Sequence, residues 1–429
     1  MTTRRALLRM VAGTAIAGCA TASTHDVDAE LARLHRRLRD LPAEIVADDE
    51  SYWAVVRAGY DVDPRVVNLN NAGVCPTPRS VLEAMKAAWD AGNPLPAHTL
   101  LRVQEKKVED VRRALAAFLA CDPESLAITR NASESMATFA LGLPLAPGDE
   151  VVVTDHNYPR VLQTWAQRAR RDGIVVKTVS PASEASDDAL FDLVFSAVGP
   201  KTKVVEICHV TNVLGRVWPV ARITAEARRR GIVVVVDGAH AVHHVPLSIE
   251  GLGATHYAAS LHKWVGAPVG TGLMVLGKDR IREHFALMPP PANLEGDIRK
   301  FEETGTRPAA PRLAILEALR WQESIGLARK RARLSRLRSR ITDRLRGRSD
   351  VRVLGAAGEE QAPGITYIAL PGRDPKVVTA RLLERHGILV VGVPAWREPG
   401  IRVSPNVYTT AADVDRFSEA FEAVLKETP

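Results

Sequence analysis

Between about residues 126 and 277, short apolar, β-branched runs alternate with helical stretches, and this alternation constrains the fold more than any other feature of the chain. The runs are VVVTD at 151–155, IVVKTVS at 174–180, KVVEICHV at 203–210, IVVVVDG at 232–238 and GTGLMVLG at 270–277. Helical patterns at 159–172 and 222–230 lie between them. A strand that is apolar at successive positions is buried on both faces, and parallel strands need a crossover connection, usually a helix. The pattern predicts an α/β fold with a mostly parallel sheet between layers of helices.

The rest of the chain is organised around that block. With 429 residues, 46% hydrophobic and 25% charged, the chain is long enough for two globular domains. A polar, helical arm is expected at 27–46, and a helix over 80–92 that ends at Gly92. After residue 285 the chain turns Pro-rich (MPPPANLEG) and then helical. The stretch 327–348 holds nine arginines, with Leu327, Leu334, Leu337, Ile341 and Leu345 on one helical face. No aromatic residues interleave with that charge, so it is expected to be a surface helix with a solvated basic side, and no nucleic-acid partner is expected. A strand–helix–strand–helix tail ends in TAADVDRFSEAFEAVLKE. The expected spans are an arm over 23–72, a large domain over 73–290 and a smaller α+β C-terminal domain over 291–429.

The first 22 residues belong to targeting rather than to the fold. Thr3-Arg4-Arg5-Ala6-Leu7-Leu8-Arg9 resembles a twin-arginine export signal, and the apolar stretch Met10 to Ala17 behind it is too short to remain in a bilayer as a spanning helix. The arginine pair keeps this end cytoplasmic while the apolar run enters the membrane. Ile16-Ala17-Gly18-Cys19 has the form of a lipoprotein box, with Cys19 as lipid anchor; Ala20-Thr21-Ala22 has the form of a site that releases a soluble protein. Either outcome implies a bacterial protein exported through the twin-arginine machinery, periplasmic or membrane-anchored. Removal of Arg4, Arg5 and Arg9 lowers the formal charge from +7 to +4, a weak argument for any acidic partner. Cys75, Cys121 and Cys208 show no C-x-x-C spacing and no disulfide framework.

The chemistry concentrates at 232–277. Asp237 falls at the C-terminal end of an apolar strand, where α/β sheets place their ligands. Ser260-Leu261-His262-Lys263-Trp264 follows, and then the Gly-rich GAPVGTGLMV. A lysine in such apolar company is costly as an unpaired ammonium, and a buried carboxylate is costly without a positive partner. An aldehyde cofactor joined to Lys263, with a protonated ring nitrogen held by Asp237, resolves both. His240, His243, His244, His256 and His262 fit no recognised metal-ligand spacing, so no metal is expected.

D-G-A-H-A followed by S-x-H-K-W resembles the class V aminotransferase family of fold-type I enzymes that use pyridoxal 5′-phosphate (PLP), in its isopenicillin N epimerase-like branch; the likeness runs from about Leu69 to the C-terminus. The family contains cysteine desulfurases and kynureninase-like enzymes, and its fold implies a seven-stranded sheet. The resemblance implies Lys263 as the Schiff-base lysine and Asp237 as partner of the pyridine nitrogen. Thr129-Arg130-Asn131-Ala132-Ser133-Glu134 matches the phosphate turn, where a helix N-terminus offers free N–H groups to a dianion; Ser133 doubles there as an expected N-cap. His156 matches the residue stacked on the cofactor ring, and Asn212 an amide near its phenolic oxygen. His240 is expected to reach that oxygen or support the site. Ser260 and His262 match phosphate ligands. Gly305-Thr306-Arg307 resembles the segment that a second subunit lends to the phosphate, which implies a homodimer. Arg402 matches the arginine that binds the α-carboxylate of an amino-acid-like substrate, and Leu69-Asn70-Asn71-Ala72-Gly73 the N-terminal family motif.

One departure is plain. Cysteine desulfurases carry a nucleophilic cysteine shortly before the carboxylate-binding arginine, whereas this chain reads HGILVVGVPAWREPGIR there, with Trp396 and Arg397 in the region. The expected activity is transamination or epimerisation at the amino group or Cα of an amino acid or a metabolite derived from one. β-Elimination, or PLP binding without catalysis, stands as the alternative.

Overall fold

The computed structural model describes residues 24–38, 41–356 and 358–428. The export segment at residues 1–22, with Arg4, Arg5 and Cys19, lies outside them. The described chain separates into two compact units, Ala72–Glu323 with Gly355–Pro363, and the residues up to Asn71 with Ser324–Leu354 and those from Gly364 onward. These cuts differ from the expected spans. Residues 291–323 join the larger unit because Ala314, Ile315, Ala318 and Leu319 belong to its core. The N-terminal arm joins the smaller unit because Val67 and Leu69 pack there with Ile388 and Val403.

The larger unit is built on a seven-stranded sheet of β1 (Leu126–Thr129), β2 (Glu150–Thr154), β3 (Val175–Val179), β4 (Thr202–Cys208), β5 (Val233–Asp237), β6 (His256–Ser260) and β7 (Gly272–Leu276). Their spatial order is β1-β7-β6-β5-β4-β2-β3. Neighbours are parallel except at β7, which runs antiparallel to both β1 and β6. The mostly parallel α/β sheet expected from the sequence is therefore present. Five of its strands were read from the apolar runs; LAIT and HYAAS were not.

The alternation of side chains along each strand sorts the core into two layers. Val152, Val205, Ile207, Val234 and Val236 face one layer of helices. Val151, Val153, Val204 and Val235 face the other, where Phe139 of the helix Ala132–Gly142 and Trp165 of the helix Pro159–Asp172 pack. By the same two-residue period, Glu206, Cys208 and Asp237 belong to this second face.

The smaller unit holds a four-stranded antiparallel sheet in the order Val391–Val393, Gly400–Val403, Thr366–Ala369, Arg352–Leu354. Its core takes residues from the helices Leu327–Leu345, Pro375–His386 and Ala411–Glu427. The arginine-rich helix departs in part from the solvated side expected of it. Arg333 is only 1% exposed, pairs with Glu50 at 2.6 Å and donates to the carbonyls of Ala47 and Thr409. Lys330 is buried as well. Part of the basic face therefore binds the N-terminal segment to this unit.

Candidate functional site

The C-terminal edge of the larger unit's sheet is where the chain turns polar. β5 ends at Asp237, which is buried and accepts a hydrogen bond from Ala239 N–H at 2.9 Å. The turn that follows is forced by contact. A Cβ on Gly238 would stand 2.2 Å from the Tyr257 hydroxyl, so only glycine passes over that ring. Tyr257 is held in turn by His209 Nδ1 at 3.0 Å. Three residues beyond Asp237, His240 Nε2 lies 3.1 Å from Lys263 Nζ. Burial pushes the Asp237 carboxyl above its ordinary range, against the opposing pull of the Ala239 N–H and of the Lys263 charge. Asp237 and Lys263 therefore act on one another within a single site.

Lys263 sits in the loop between β6 and β7. The register pairs Ser260 with Gly272, and Leu261 N–H donates to the Thr271 carbonyl at 3.1 Å, so both ends of the loop are tied to the sheet. Trp264 stacks on His244, with ring centroids 3.7 Å apart and 15° between planes. His244 Nδ1 lies 2.8 Å from the His240 carbonyl oxygen. His243 adopts a left-handed φ of +54°, uncommon for a residue with a Cβ, and packs on Phe118. His256 bonds Thr255 and packs between Phe139 and His284. His240 and His244 thus pack around the lysine loop, whereas His256 opens β6 at the far end of that strand. Among the described residues no group of three or more His, Cys, Asp or Glu side chains is placed to hold a metal.

The phosphate turn is tied to the same edge. Ala132 N–H donates to Ser260 Oγ at 3.0 Å, joining the first turn of its helix to the end of β6. The N-cap is Asn131, whose Oδ1 accepts from Glu134 N–H at 2.9 Å, rather than Ser133, which is exposed in the first turn. Asn131 wins because its backbone is extended while Ser133 is already helical. A Cβ on Gly272 would meet the Asn131 backbone at 2.5 Å, so β7 and the helix N-terminus approach as closely as a glycine permits. Burial, and secondarily the neighbouring Lys263, lower the His262 imidazole to about 4, so it is neutral at pH 7. Its Nδ1 is buried and has no hydrogen-bond partner among the described residues.

His156 is buried in the loop after β2, and the Cys208 thiol lies 3.9 Å from its carbonyl oxygen. Asn212 is half-buried in the turn after β4. Thr306 is exposed and lines a cleft of about 460 Å³ with Leu100, Leu101, Arg112 and Arg299, none of them a residue of the lysine site. Arg402 lies in the smaller unit on the strand Gly400–Val403; it is 8% exposed and donates to Asn70 Oδ1 at 3.1 Å. Burial lowers its guanidinium to about 10. Asn70 of the motif at 69–73 and Arg402 thus meet within that unit.

Glu206 is a residue that the sequence reading passed over. It is 0% exposed on β4, accepts from Trp165 Nε1 at 2.7 Å and from Asn157 Nδ2 at 2.9 Å, and stands on the face of Asp237. A lone acid inside KVVEICHV was the available signal, since an apolar strand carries a carboxylate only at a cost.

These groups fit PLP. A helix N-terminus with Ser260 and a neutral, buried imidazole nitrogen can take a phosphate dianion. Asp237 is a buried acid suited to a pyridinium, and Lys263 is an amine suited to an aldehyde.

Comparison with known proteins agrees. The chain matches aminotransferase class-V over residues 67–417. It is 31% identical over 393 residues to isopenicillin N epimerase of Streptomyces clavuligerus, covering 87% of this chain and 99% of that protein. Among solved structures, the S-sulfonic acid form of the cysteine desulfurase CsdA from Escherichia coli superposes with a TM-score of 0.76 at 22% identity, covering 88% of this chain and 99% of that one. A lysine variant of C-DES with glycine covalently linked to its PLP cofactor gives a TM-score of 0.73 at 22% identity, covering 84% and 97%.

Proposed function

The chain belongs to the aminotransferase class-V family and is a PLP enzyme of fold type I, and from that premise we propose that it acts at the α-amino group and Cα of an amino acid or a metabolite derived from one, as an aminotransferase or an epimerase of the isopenicillin N epimerase-like kind. The observation that carries the reading is the pair Lys263 Nζ and His240 Nε2 at 3.1 Å, three residues after a buried Asp237. The 31% identity to an isopenicillin N epimerase over 99% of its length supports this branch. The cysteine-free stretch 386–402 speaks against persulfide chemistry of the desulfurase kind.

When bound, PLP supplies an aldehyde that captures an amine and a ring that withdraws electrons from Cα. The protein's own groups do the rest. Ser260, His262 and the N–H groups following Asn131 would hold the phosphate, and Asp237 would accept the N–H of the ring nitrogen. Lys263 would be the base that takes the Cα proton, with His240 fixing Nζ. Arg402 is assigned the substrate α-carboxylate through the resemblance, and a guanidinium suits it geometrically. Return of the proton to Cα from the opposite face would give epimerisation; loss of the amino group as a keto acid would mark transamination.

Purified protein is expected to be yellow, and the Lys263→Ala variant colourless after dialysis. A panel of amino acids, followed by keto-acid detection and chiral analysis, separates the two outcomes. Wild-type protein whose visible band no amine donor shifts or bleaches would overturn the catalytic reading.

The export signal and the homodimer belong to the same proposal. PLP is assembled in the cytosol, and the twin-arginine route exports folded, loaded proteins. Arg4→Lys/Arg5→Lys should abolish envelope accumulation, and equal envelope levels would remove the export reading. The exposed Thr306 in its cleft supports a segment offered to a second copy. Light scattering on the holoenzyme is expected to give the mass of a dimer.

A further inference from the structure

We propose that Glu206 is a positioning residue for the cofactor: a second buried carboxyl behind Asp237, whose charge strengthens the hold on the protonated ring nitrogen and whose hydrogen bonds fix Asn157 beside His156. The proposal rests on the PLP reading and extends it to a residue outside the resemblance.

The placement follows from register. Cys208 pairs with Asp237 across β4 and β5, and Glu206 stands one same-face position before Cys208. Its oxygens are held from the helix side. Trp165 Nε1 donates to one at 2.7 Å, and Asn157 Nδ2 donates to the other at 2.9 Å and to the Glu206 carbonyl at 3.2 Å. Asn157 Oδ1 accepts in turn from Thr154 Oγ1 at 2.8 Å. The residue that follows His156 is therefore clamped between β2 and β4, and Glu206 is one jaw.

Both carboxyls lie in an interior where neither ionises cheaply, and each resists the charge of the other. Among the described residues the ionisable groups near that face include Cys208 on β4 itself, His156 beside Asn157, His256 on β6 with His284 packed on it, Arg168 of the helix Pro159–Asp172, held by Asp172, and Lys263 beyond Asp237. The one charged residue of the helix Ala132–Gly142, Glu134, is paired with Arg130 at its first turn. Burial and the neighbouring Asp237 push Glu206 up to about 8, against the hydrogen bonds of Trp165 and Asn157. A cationic ring beside Asp237 offsets that repulsion. By reciprocity, ionised Glu206 favours the cation. An apolar side chain would pack the same strand against the same helix at lower cost, so an anchoring role alone does not account for the acid.

The test is binding of pyridoxine 5′-phosphate, which lacks the aldehyde, to apo-enzyme between pH 6 and pH 9 by tryptophan fluorescence. Wild type is compared with Glu206→Gln, so that the titration of the ligand itself cancels. Two charges about 10 Å apart in a medium of effective dielectric about 20 change an equilibrium by roughly tenfold. The ratio of the variant's Kd to that of wild type is therefore expected to grow on the order of tenfold from pH 6 to pH 9. Trp165→Phe, which removes one donor from the carboxylate, should move the rise to higher pH. A ratio that does not change with pH overturns the proposal. If Glu206→Gln does not fold, a Trp165→Phe curve that coincides with wild type overturns it. Wild type that binds no pyridoxine 5′-phosphate at either pH would overturn the cofactor assignment, and this proposal with it.

Discussion

Gly272→Ala should loosen the cofactor without altering the side chain of any residue assigned to it. The backbone at Gly272 lies outside the left-handed region, so alanine fits its dihedral angles and the effect is one of space alone. The added Cβ would stand 2.5, 2.7 and 2.8 Å from the Cα, N and C of Asn131. Ordinary contact begins near 3.4 Å, so the Asn131 backbone must retreat by about 0.9 Å. The hydrogen bond from Ala132 N–H to Ser260 Oγ would then lengthen from 3.0 Å to about 3.9 Å, past bonding distance. Overpacking of this kind costs about 1–3 kcal/mol, and the lost bond about 1 kcal/mol more. For a phosphate that depends on the same N-terminal N–H groups, loss of one charge-assisted bond corresponds to roughly 10- to 100-fold in affinity. Titration of apo-enzyme with PLP gives the affinity, and urea denaturation the stability. Gly199→Ala is the control, since its Cβ would meet only the Glu150 and Lys177 side-chain ends at 3.5 and 3.7 Å, and neither quantity should change. A Gly272→Ala protein that binds PLP as wild type does would refute the claim that this helix end cradles the phosphate.

Four further outcomes are expected. Asp237→Asn should keep the lysine linkage but lower turnover by about 10² or more, because the ring nitrogen loses its anionic partner; turnover within a few-fold of wild type would contradict the pairing. Arg402→Lys should raise KM by about tenfold with little change in kcat, because the planar fork is lost while the charge is kept; an unchanged KM would remove Arg402 from substrate binding. His209 and His284 are buried and lowered from 6.5 to about 4, so the unfolded chain binds more protons between those values; stability should fall by roughly 3 kcal/mol for each as pH drops from 6.5 to 4, and His209→Gln should flatten part of that slope in urea midpoints. Arg333→Met should destabilise by about 2–4 kcal/mol, since it strands the Ala47 and Thr409 carbonyls and leaves Glu50 unpaired; a thermal midpoint within a degree of wild type would deny that helix its anchoring role.

The legible parts of this chain were those in which a local pattern carries a physical requirement. VVVTD and IVVVVDG announce buried parallel strands because such continuous apolar runs suit neither a hairpin nor an amphipathic helix; IVVKTVS forms a parallel strand too, but at the sheet edge, where it is not buried on both faces and Val175 is exposed. HYAAS hid because two of its five residues are alanines with little strand preference, and LAIT because four residues carry no period. LAIT is a strand through its pairing with β7, and HYAAS through pairing with both β5 and β7, contacts made across the fold. At the site, Lys263 and Asp237 stood out through their apolar neighbours, and Ser260 through the family resemblance. The choice of Asn131 over Ser133 as N-cap depends on backbone angles that sequence does not display. The five histidines were visible, but stacking on Trp264 and Phe118 is a property of three dimensions. Glu206 is visible too, but one acid in a strand whose other residues are mostly apolar carries no local pattern of its own.

The reversal of β7 has a consequence for how the reactive amine is carried. The segment bearing Lys263 leaves the sheet at Ser260 and re-enters it at Gly272, two residues that are partners across neighbouring strands. It is a stitch whose two ends share one seam in the middle of the fabric. Such a stitch cannot slacken by local fraying, because freeing it means parting interior strands. With its backbone held so, Lys263 has the rotations of its own side-chain bonds and little else, and would remain where a proton must be collected. Amide hydrogens at Leu261 and Ala267, which bond within this segment, should accordingly exchange only when the larger unit opens as a whole.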